Sequence, residues 1–589
     1  MKRWIATVLI SATMACASTG GAPPSGEIGA EPGAPADTVA PVRPQGLPPA
    51  TLSPGVTPAD MRAKVAQFAS VELGFDESLL DADRKVVVAK LVEASRLLDE
   101  IFLRQVWRDN PAYAEQVARA EGEGMDAARE YYEIMYGPWD RLEHDEPFLL
   151  VGPKPAGAGY YPSGVTKAEI EAWLEKHPDD REAFTSYYTI LARTREGLRA
   201  VPYSEAYADR LGKAAALLRK AAEHAGNESL ASFLRSRANA FETNDYYASE
   251  VAWMNLEGNL IEPTIGPYEV YEDELMGWKA AFESFVTIKD PEASAELETL
   301  VSHLPDLEAA LPMDDEYKDL ERSFASPLSV VDVIYTAGDT RAGVQTLAFN
   351  LPNDPRVSRE HGTKKVMLRN VIDAKFEKIL APIGARVLEA SLADDLEAKA
   401  FTTSVVMHEL AHGLGPRIVH GTDRSVSETL GPSYSAIEEA KADVVGVLSL
   451  VELVGEGAFS SEFERQVYVS GVASLFRCVR FGTGGAHGKG CAVQMNALLD
   501  AGAVTVGEDG RFAIDFDAIH GAYRDLAERL LTIEATGDAE AAAALLEAMG
   551  SVPPAGVEAL DRLDDVPVDI RPIYAVEEAM EAWAAPSGS

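Results

Sequence analysis

Basic residues are scarce in this sequence relative to acidic ones. Its 589 residues include 53 Lys and Arg against 94 Asp and Glu, which gives a formal net charge of −41 at pH 7. A field of that sign repels phosphate backbones and anionic lipid headgroups, so nucleic acid is an unfavourable partner. The simplest interpretation of the acidity is solubility, and a preference for cationic substrates is the alternative.

Cysteine is also rare, with Cys16, Cys478 and Cys491 the three in the chain. The last two would remain after removal of an N-terminal signal. In an oxidising compartment they could close a disulfide loop, and two buried free thiols are the other possibility. The sequence leaves both open.

The apolar stretch at the N-terminus, from Trp4 to Ala15, is too short to span a bilayer. It follows Met1-Lys2-Arg3, and this order is typical of a signal peptide. Thr13-Met14-Ala15-Cys16 resembles a bacterial lipobox, which predicts a signal peptide over 1–16 and a lipid on Cys16. A secretory peptide cleaved near Ala17 is the alternative. Either reading predicts export, as a periplasmic or cell-envelope lipoprotein or as a secreted protein, and membrane contact only through that anchor.

The rest of the chain has the composition of a folded enzyme, with 47% hydrophobic and 25% charged residues, and its length favours two lobes. Residues 17–57 are rich in Pro, Gly and Ala and predict an extended linker. Thr57-Pro58-Ala59-Asp60 then has the pattern of a helix start. Helical spacing of apolar residues predicts a mainly helical region from 58 to about 250.

Short apolar runs punctuated by Gly, Pro and Asn indicate strands between about 260 and 370, for example Ser329 to Tyr335 and Leu347 to Leu351. Helical periodicity returns from Asp373 to about Leu450 and from Val493 to about Met549. The segment after Val552 has an irregular or strand-like pattern. We therefore predict a helical and mixed α/β part over 58–370, a helical lobe over 371–550 and a C-terminal segment over 551–589 that returns to the mixed lobe.

The segment Met407-His408-Glu409-Leu410-Ala411-His412 lies in a helical run. Two histidines four residues apart share one face of a helix, so both imidazoles can reach a single Zn²⁺ ion, while Glu409 can lie beside the open coordination position. The pattern predicts a metal site with Glu409 as general base.

A third ligand is offered by the segment from Ser435 to Asp443, where Ser435 and Glu438 have the spacing of a capping box. Glu439 and Asp443 lie one turn apart, so Glu439 can bind the metal while Asp443 accepts a hydrogen bond from a ligating histidine. The alternative is a solvated acidic face with a salt bridge to Lys441. Three protein ligands leave a position for water, whose proton Glu409 can take.

Several separated segments resemble, in the same order, the motifs of the dipeptidyl peptidase III family of zinc peptidases. In that family a histidine motif carries the base, and the second glutamate of a later Glu-Glu-x-x-x-acid segment completes the ligands. The resemblance places these roles on His408, His412, Glu409 and Glu439, with Asp443 supporting a ligand. The family's usual motif has one more residue between the base and the second histidine, and helix geometry favours the shorter spacing found here.

Three further segments extend the resemblance. Glu269-Val270-Tyr271 is similar to a family segment with a substrate-binding acid and a phenol that steadies the tetrahedral intermediate. Asn350 and Asn353 match a loop that binds the substrate backbone and its amino-terminal end. His487 matches a histidine that assists the transition state. Read without the family, these residues would be a packed tyrosine, a turn and a structural histidine.

One position departs from the family. Its members commonly have an arginine four residues after the last histidine, and this chain has Cys491 there. Arg477, Arg480 and Lys489 are the nearby cations that could bind a substrate carboxylate instead.

The resemblance implies an α+β, predominantly helical fold with two lobes around a wide cleft: a helical zinc lobe and a mixed lobe with a small β-barrel core. It implies a peptidase that holds one Zn²⁺ ion and releases dipeptides from the N-terminus of short peptides. The alternatives are a zinc hydrolase of another amide or ester and a non-catalytic, zinc-stabilised binding lipoprotein. The sequence does not indicate an oligomeric state.

Overall fold

A computed structural model describes residues 46–321 and 328–584. Cys16, the predicted signal peptide and most of the predicted linker lie outside these ranges. The folded body begins before the predicted boundary at 57, because Leu52 bridges Leu149. In addition, the Ser53 N–H donates to the Phe148 carbonyl over 3.0 Å. Within the described ranges, no helix is both long and apolar enough to cross a membrane.

The N-terminal part is mainly helical, as predicted. Its first helix starts at Pro58 behind an N-cap at Thr57, whose hydroxyl and the carboxylate of Asp60 form a capping box. In the second helix, Val87, Leu91 and Leu98 are fully buried at helical spacing. The helices are α1 (Pro58–Ala66), α2 (Ala82–Val106), α3 (Asn110–Arg119), α4 (Met125–Met135), α5 (Lys167–Lys176), α6 (Arg181–Thr185), α7 (Tyr203–Ala206), α8 (Ala208–His224), α9 (Glu228–Thr243) and α10 (Tyr247–Met254), and the strands are β1 (Phe68–Leu73), β2 (Trp139–Asp140), β3 (Glu146–Pro147), β4 (Thr189–Arg193) and β5 (Leu198–Pro202).

The middle of the chain contributes a five-stranded sheet. Its elements are β6 (Ile261–Pro267), β7 (Phe282–Lys289), α11 (Pro291–Ala310), β8 (Leu328–Gly338), β9 (Ala348–Leu351), α12 (Pro355–His361) and β10 (Lys364–Leu368). The strand order is β6-β7-β8-β10-β9, with β8 and β10 parallel and the other pairs antiparallel. The expected small β-barrel is wrong: among the described residues no ladder joins the edge strands β6 and β9, so the sheet stays open.

The last third of the chain forms a helical lobe around one central helix. Its elements are α13 (Arg369–Lys375), α14 (Ala381–Val387), α15 (Ala398–Ala411), α16 (Val426–Leu430), α17 (Tyr434–Gly455), α18 (Ser461–Val479), α19 (Ala486–Asp500), β11 (Val504–Val506), β12 (Phe512–Ile514), α20 (Ile519–Thr536), α21 (Ala539–Met549), α22 (Pro554–Leu560), β13 (Asp569–Tyr574) and α23 (Val576–Ala584). Helix α17 contacts α15, α18, α19 and α20. Strand β13 pairs in parallel with β1, which ties the C-terminal segment to the N-terminal part.

Two glycines allow the helices of this lobe to approach closely. A Cβ on Gly446 of α17 would lie 3.3 Å from the backbone nitrogen of His408, and one on Gly490 of α19 would lie 3.0 Å from the backbone nitrogen of Ala440. The backbones of α15 and α19 therefore pack directly against α17. This contact sets the distance at which the side chains of α15 and α17 meet.

A buried ion pair supports the segment that leads to Glu269 and Tyr271. Arg237 of α9 is fully buried and donates to the Glu250 carboxylate over 2.7 Å. It also donates to the Ile265 carbonyl over 2.9 Å and to the Tyr268 hydroxyl over 3.1 Å. One guanidinium thus joins α9 and α10 to the end of β6.

We predict that Glu250→Ala lowers the free energy of unfolding by about 3–5 kcal/mol, because it leaves the Arg237 charge buried and unpaired. The measurement is the urea midpoint followed by circular dichroism. The double variant Arg237→Met with Glu250→Leu should recover most of the loss, since it removes both charges and keeps apolar volume. A single variant as stable as wild type would contradict the prediction.

Candidate active site

Three predicted ligand residues meet where α15 packs against α17. His408 and His412 come from the last turn of α15 and its C-cap, and Glu439 comes from the second turn of α17. Glu439 Oε2 lies 3.4 Å from His408 Nε2 and 3.8 Å from His412 Nε2. One possible ligand atom from each of the three residues lies within 4.8 Å of the others.

The donor set fits a metal ion. His408 Nε2, His412 Nε2 and Glu439 Oε2 are buried, and none of them has a hydrogen-bond partner among the described residues. Three unpaired polar atoms converging in the interior would be costly without a cation between them. Two imidazoles and one carboxylate are a ligand set of catalytic zinc sites, which keep a fourth position open.

The far nitrogen of each imidazole is held by a carboxylate. His408 Nδ1 lies 2.5 Å from Asp443 Oδ1, and His412 Nδ1 lies 2.7 Å from Glu438 Oε1. These contacts direct both Nε2 atoms towards Glu439. The predicted capping box of Ser435 and Glu438 is wrong: α17 has Ser433 at its N-cap, and Glu438 is buried against His412 instead.

Each supporting carboxylate has its own partner. The Lys441 ammonium lies 2.8 Å from Glu438 Oε1 and also donates to the carbonyl of Leu414 over 2.9 Å. The Gln494 amide of α19 donates to Asp443 Oδ2 over 2.8 Å. The roles of Glu438 and Gln494 do not follow from the sequence patterns, because the capping-box spacing assigned Glu438 to the helix start and Gln494 belongs to no motif.

Burial and charge act in opposite directions on the site. Burial alone would lower the pKa of His408, but the carboxylates of Asp443 and Glu439 outweigh it and hold this pKa well above its usual value. Burial alone would raise the pKa of Asp443, and the adjacent His408 lowers it below its usual value. Protons therefore compete with a metal ion for the His408 imidazole.

Glu409 is buried and its two carboxylate oxygens differ. Oε2 lies 2.9 Å from the Lys365 ammonium of β10. Oε1 is buried and has no hydrogen-bond partner among the described residues. Lys365 is not recognisable from the sequence as a partner of Glu409, because a lysine in a short strand carries no motif that links it to a helix over forty residues later in the chain.

His487 and Tyr271 reach the site from other elements. His487, in the first turn of α19, has its Nε2 atom 3.5 Å from Glu439 Oε2. Tyr271 is 49% exposed. Both line a cavity of about 550 Å³ together with His408, Glu439 and residues of the mixed lobe that precede β9. The structure thus brings Tyr271 and His487 to the same cavity as His408 and Glu439.

The remaining predicted substrate-binding residues lie along the sheet. The Asn353 amide donates to Glu269 Oε1 over 3.2 Å and to the Tyr268 carbonyl over 3.1 Å, just after the cis Leu351–Pro352 peptide. Burial raises the pKa of Glu269, and the bond from Asn353 opposes that shift. Asn350 lies on β9, directly opposite Lys365 of β10.

Cys478 and Cys491 form a disulfide that joins α18 to α19. Of the two possibilities that the sequence left open, a disulfide and two free thiols, the structure has the disulfide.

The nearby cations differ in what they contact. Arg480 donates to the carbonyls of Pro567 and Val566. Arg477 lines the 550 Å³ cavity, and its Nε atom is buried without a hydrogen-bond partner among the described residues. Burial lowers the pKa of Arg477, and Asp569 opposes this shift.

Comparisons with known proteins agree with these features. The profile of Peptidase family M49 matches residues 200–428. The chain is similar to the solved structure of DPP III from Caldithrix abyssi, with 46% identity and a TM-score of 0.86 over 88% of this chain and all of that one. It is also similar to dipeptidyl-peptidase III from Corallococcus sp. strain EGB, with 41% identity and a TM-score of 0.75 over 90% of this chain and 99% of that one.

A curated relative carries a different name. The chain is 36% identical over 559 residues to Nudix hydrolase 3 of Arabidopsis thaliana. The alignment covers 85% of this chain and 72% of that protein. Both solved structures are of dipeptidyl peptidase III.

We predict that Asp443→Asn weakens zinc binding by about 10- to 100-fold, because the amide cannot support His408 as the carboxylate does. The measurement is competition with a chromophoric zinc chelator. Glu452→Gln, an exposed position on the same helix, is the matched control and should bind zinc like wild type. Equal zinc affinity in Asp443→Asn and wild type would refute the supporting role.

Proposed function

This chain belongs to the dipeptidyl peptidase III family, Peptidase family M49, and we propose that His408, His412 and Glu439 hold one Zn²⁺ ion for its reaction. The protein is a metallopeptidase that releases dipeptides from the N-terminus of peptides. The observation that supports our assignment of the site is the convergence of one ligand atom each from His408, His412 and Glu439, all buried without a hydrogen-bond partner among the described residues. Oε1 of Glu409 is likewise buried and has no such partner in the described ranges.

When bound, the ion supplies a Lewis acid that polarises the substrate carbonyl and lowers the pKa of a water molecule. Glu409 Oε1 takes the proton from the attacking water and passes it to the leaving amine. Tyr271 and His487 line the same cavity, so their side chains can donate hydrogen bonds to the oxygen that becomes negative during attack. These three side chains come from three different parts of the chain.

The position of the cleavage follows from how the substrate's amino end is held. Glu269 is half-buried, acidic and in contact with Asn353, so it can bind the terminal ammonium. Asn350 on the edge strand β9 can bind the peptide backbone, and its buried Oδ1 has no partner among the described residues. Anchoring the ammonium at a fixed distance from the metal would select the second peptide bond.

Arg477 is our candidate for the other end of the substrate. Of the three cations that the sequence offered, Arg480 is committed to main-chain carbonyls and Lys489 is not part of the cavity wall. Arg477 lines the cavity, and its buried Nε atom has no hydrogen-bond partner in the described part of the chain. The carboxylate of a peptide substrate would give this guanidinium a hydrogen-bond acceptor of opposite charge.

Two alternative functions are a non-catalytic zinc-binding protein and a hydrolase of another amide or ester. A structural zinc site needs no general base and usually has four protein ligands, so the unpaired Glu409 Oε1 and the three-ligand set disfavour a non-catalytic binding protein. A hydrolase of another amide or ester would use the same centre, and mass spectrometry of the products separates it from a dipeptidyl peptidase.

We also propose that the protein is exported and anchored through a lipid on Cys16, otherwise secreted. The disulfide between Cys478 and Cys491 supports an oxidising compartment. Cys16 itself lies outside the described residues.

We predict that Glu409→Gln reduces hydrolysis of a dipeptidyl arylamide by about 10²- to 10⁴-fold, because the amide cannot accept the water proton. Zinc content should stay at one equivalent, since Glu409 is not a ligand. Glu397→Gln, an exposed acid at the start of the same helix, is the matched control. Removal of zinc with a chelator should abolish activity in wild type. Full activity in Glu409→Gln would exclude its proposed role.

We predict that Arg477→Met raises KM about 10- to 100-fold for a short peptide with a free C-terminal carboxylate, because a charge-assisted hydrogen bond is lost. The same peptide as its C-terminal amide should show little change, since it lacks the charge. The measurement is steady-state kinetics on the two peptides with both proteins. An equal effect on acid and amide would mean that Arg477 does not bind the carboxylate.

A further inference from the structure

One ammonium group connects the mixed lobe to the metal-binding helix. Lys365 Nζ on β10 lies 2.9 Å from Glu409 Oε2 and 2.9 Å from the main-chain oxygen of Glu409. The Lys365 side chain is 19% exposed and that of Glu409 is 4% exposed. Solvent therefore screens this pair less than it would an ion pair on the surface.

The main-chain contact falls at the end of α15. The N–H of His412 donates to the His408 carbonyl, and the N–H of Gly413 donates to the Leu410 carbonyl, so the Glu409 carbonyl between them is the one that Lys365 contacts. A cation at a helix C-terminus satisfies such a carbonyl and is favoured by the helix dipole. Lys365 thus holds Glu409 by its backbone and by its side chain at once.

This double contact fixes which carboxylate oxygen of Glu409 is available for chemistry. Oε2 is occupied by the ammonium, and Oε1 is left buried without a hydrogen-bond partner among the described residues. A change of the Glu409 rotamer would break the ion pair, and a half-turn of the carboxylate only exchanges its two equivalent oxygens. The carboxylate orientation is therefore set from the sheet and not from the metal-binding helix alone.

The same strand pair carries a proposed substrate contact. Lys365 lies directly opposite Asn350 in the antiparallel ladder between β10 and β9. Side chains directly opposite one another in such a ladder lie on the same face of the sheet. Asn350 therefore lies on the sheet face whose lysine reaches Glu409.

We propose that Lys365 is a positioning residue for the peptidase reaction: it holds Glu409 so that Oε1 is presented to the attacking water, in register with substrate bound along β9. This inference rests on the function proposed above. Lys365 acts through Glu409 and is not itself a catalytic residue. Loss of the contact should slow the chemical step more than it weakens substrate binding.

The experiment compares Lys365→Met, Lys365→Arg and the control Lys399→Met in the full protein loaded with zinc. Lys399 is an exposed lysine near the start of the same helix, paired with Glu296. With a dipeptidyl arylamide we expect Lys365→Met to lower kcat by about 10- to 100-fold while KM changes by less than about threefold. Lys365→Arg, which keeps the charge and the donors, should recover a large part of kcat, and Lys399→Met should match wild type.

Zinc affinity and the thermal midpoint of each variant are measured in parallel. Unchanged zinc affinity with a lower kcat in Lys365→Met, together with recovery in Lys365→Arg, supports the inference. It is overturned if Lys365→Met keeps wild-type kcat, or if kcat falls only in proportion to lost zinc or lost folded protein. Should Lys365→Met not fold, Lys365→Gln replaces it: a kcat equal to wild type overturns the inference, and a value between wild type and Glu409→Gln supports it.

Failure of the inference and failure of the proposed function give different results. An active wild type with an equally active Lys365→Met leaves the peptidase assignment intact and removes the positioning role. A zinc-loaded wild type that releases no dipeptide from any peptide or arylamide overturns both.

Discussion

The convergence of three buried polar atoms, none with a hydrogen-bond partner among residues 46–321 and 328–584, is the constraint on which the rest of the structure depends. His408 and His412 bring two of these atoms from α15, and Glu439 brings the third from α17. Such an arrangement is unfavourable in a folded interior unless a cation fills it. The close approach of the two helices at Gly446 and the carboxylates behind each imidazole are what hold the atoms in place.

Lysines balance the acids around this centre in a chain whose net charge is −41. Lys441 lies against Glu438, which supports His412, and Lys365 lies against Glu409. Each ammonium also contacts a main-chain carbonyl near the end of α15. Neighbouring lysines therefore offset the negative charge of these carboxylates. The net charge of the whole chain does not indicate the charge of the site.

Local patterns predicted much of the fold. The helix start at Thr57 and Pro58 and the strands at 328–338 and 348–351 are confirmed, because capping and apolar alternation depend on neighbours in sequence. The helix Pro291–Ala310 was missed, because it lies inside a region whose loops and strands dominate the pattern. The open sheet in place of a barrel could not be predicted, since strand closure depends on contacts between distant segments.

By itself the sequence determined which side chains can share a metal. Residues four apart on a helix lie on one face, so His408 with His412, and Glu439 with Asp443, were fixed by helix geometry. Only the tertiary structure decided that Glu438 supports His412 and that Lys365 holds Glu409. The latter pair is separated by 44 positions. No local periodicity connects a strand to a helix over that distance, because their contact exists only after both lobes have packed.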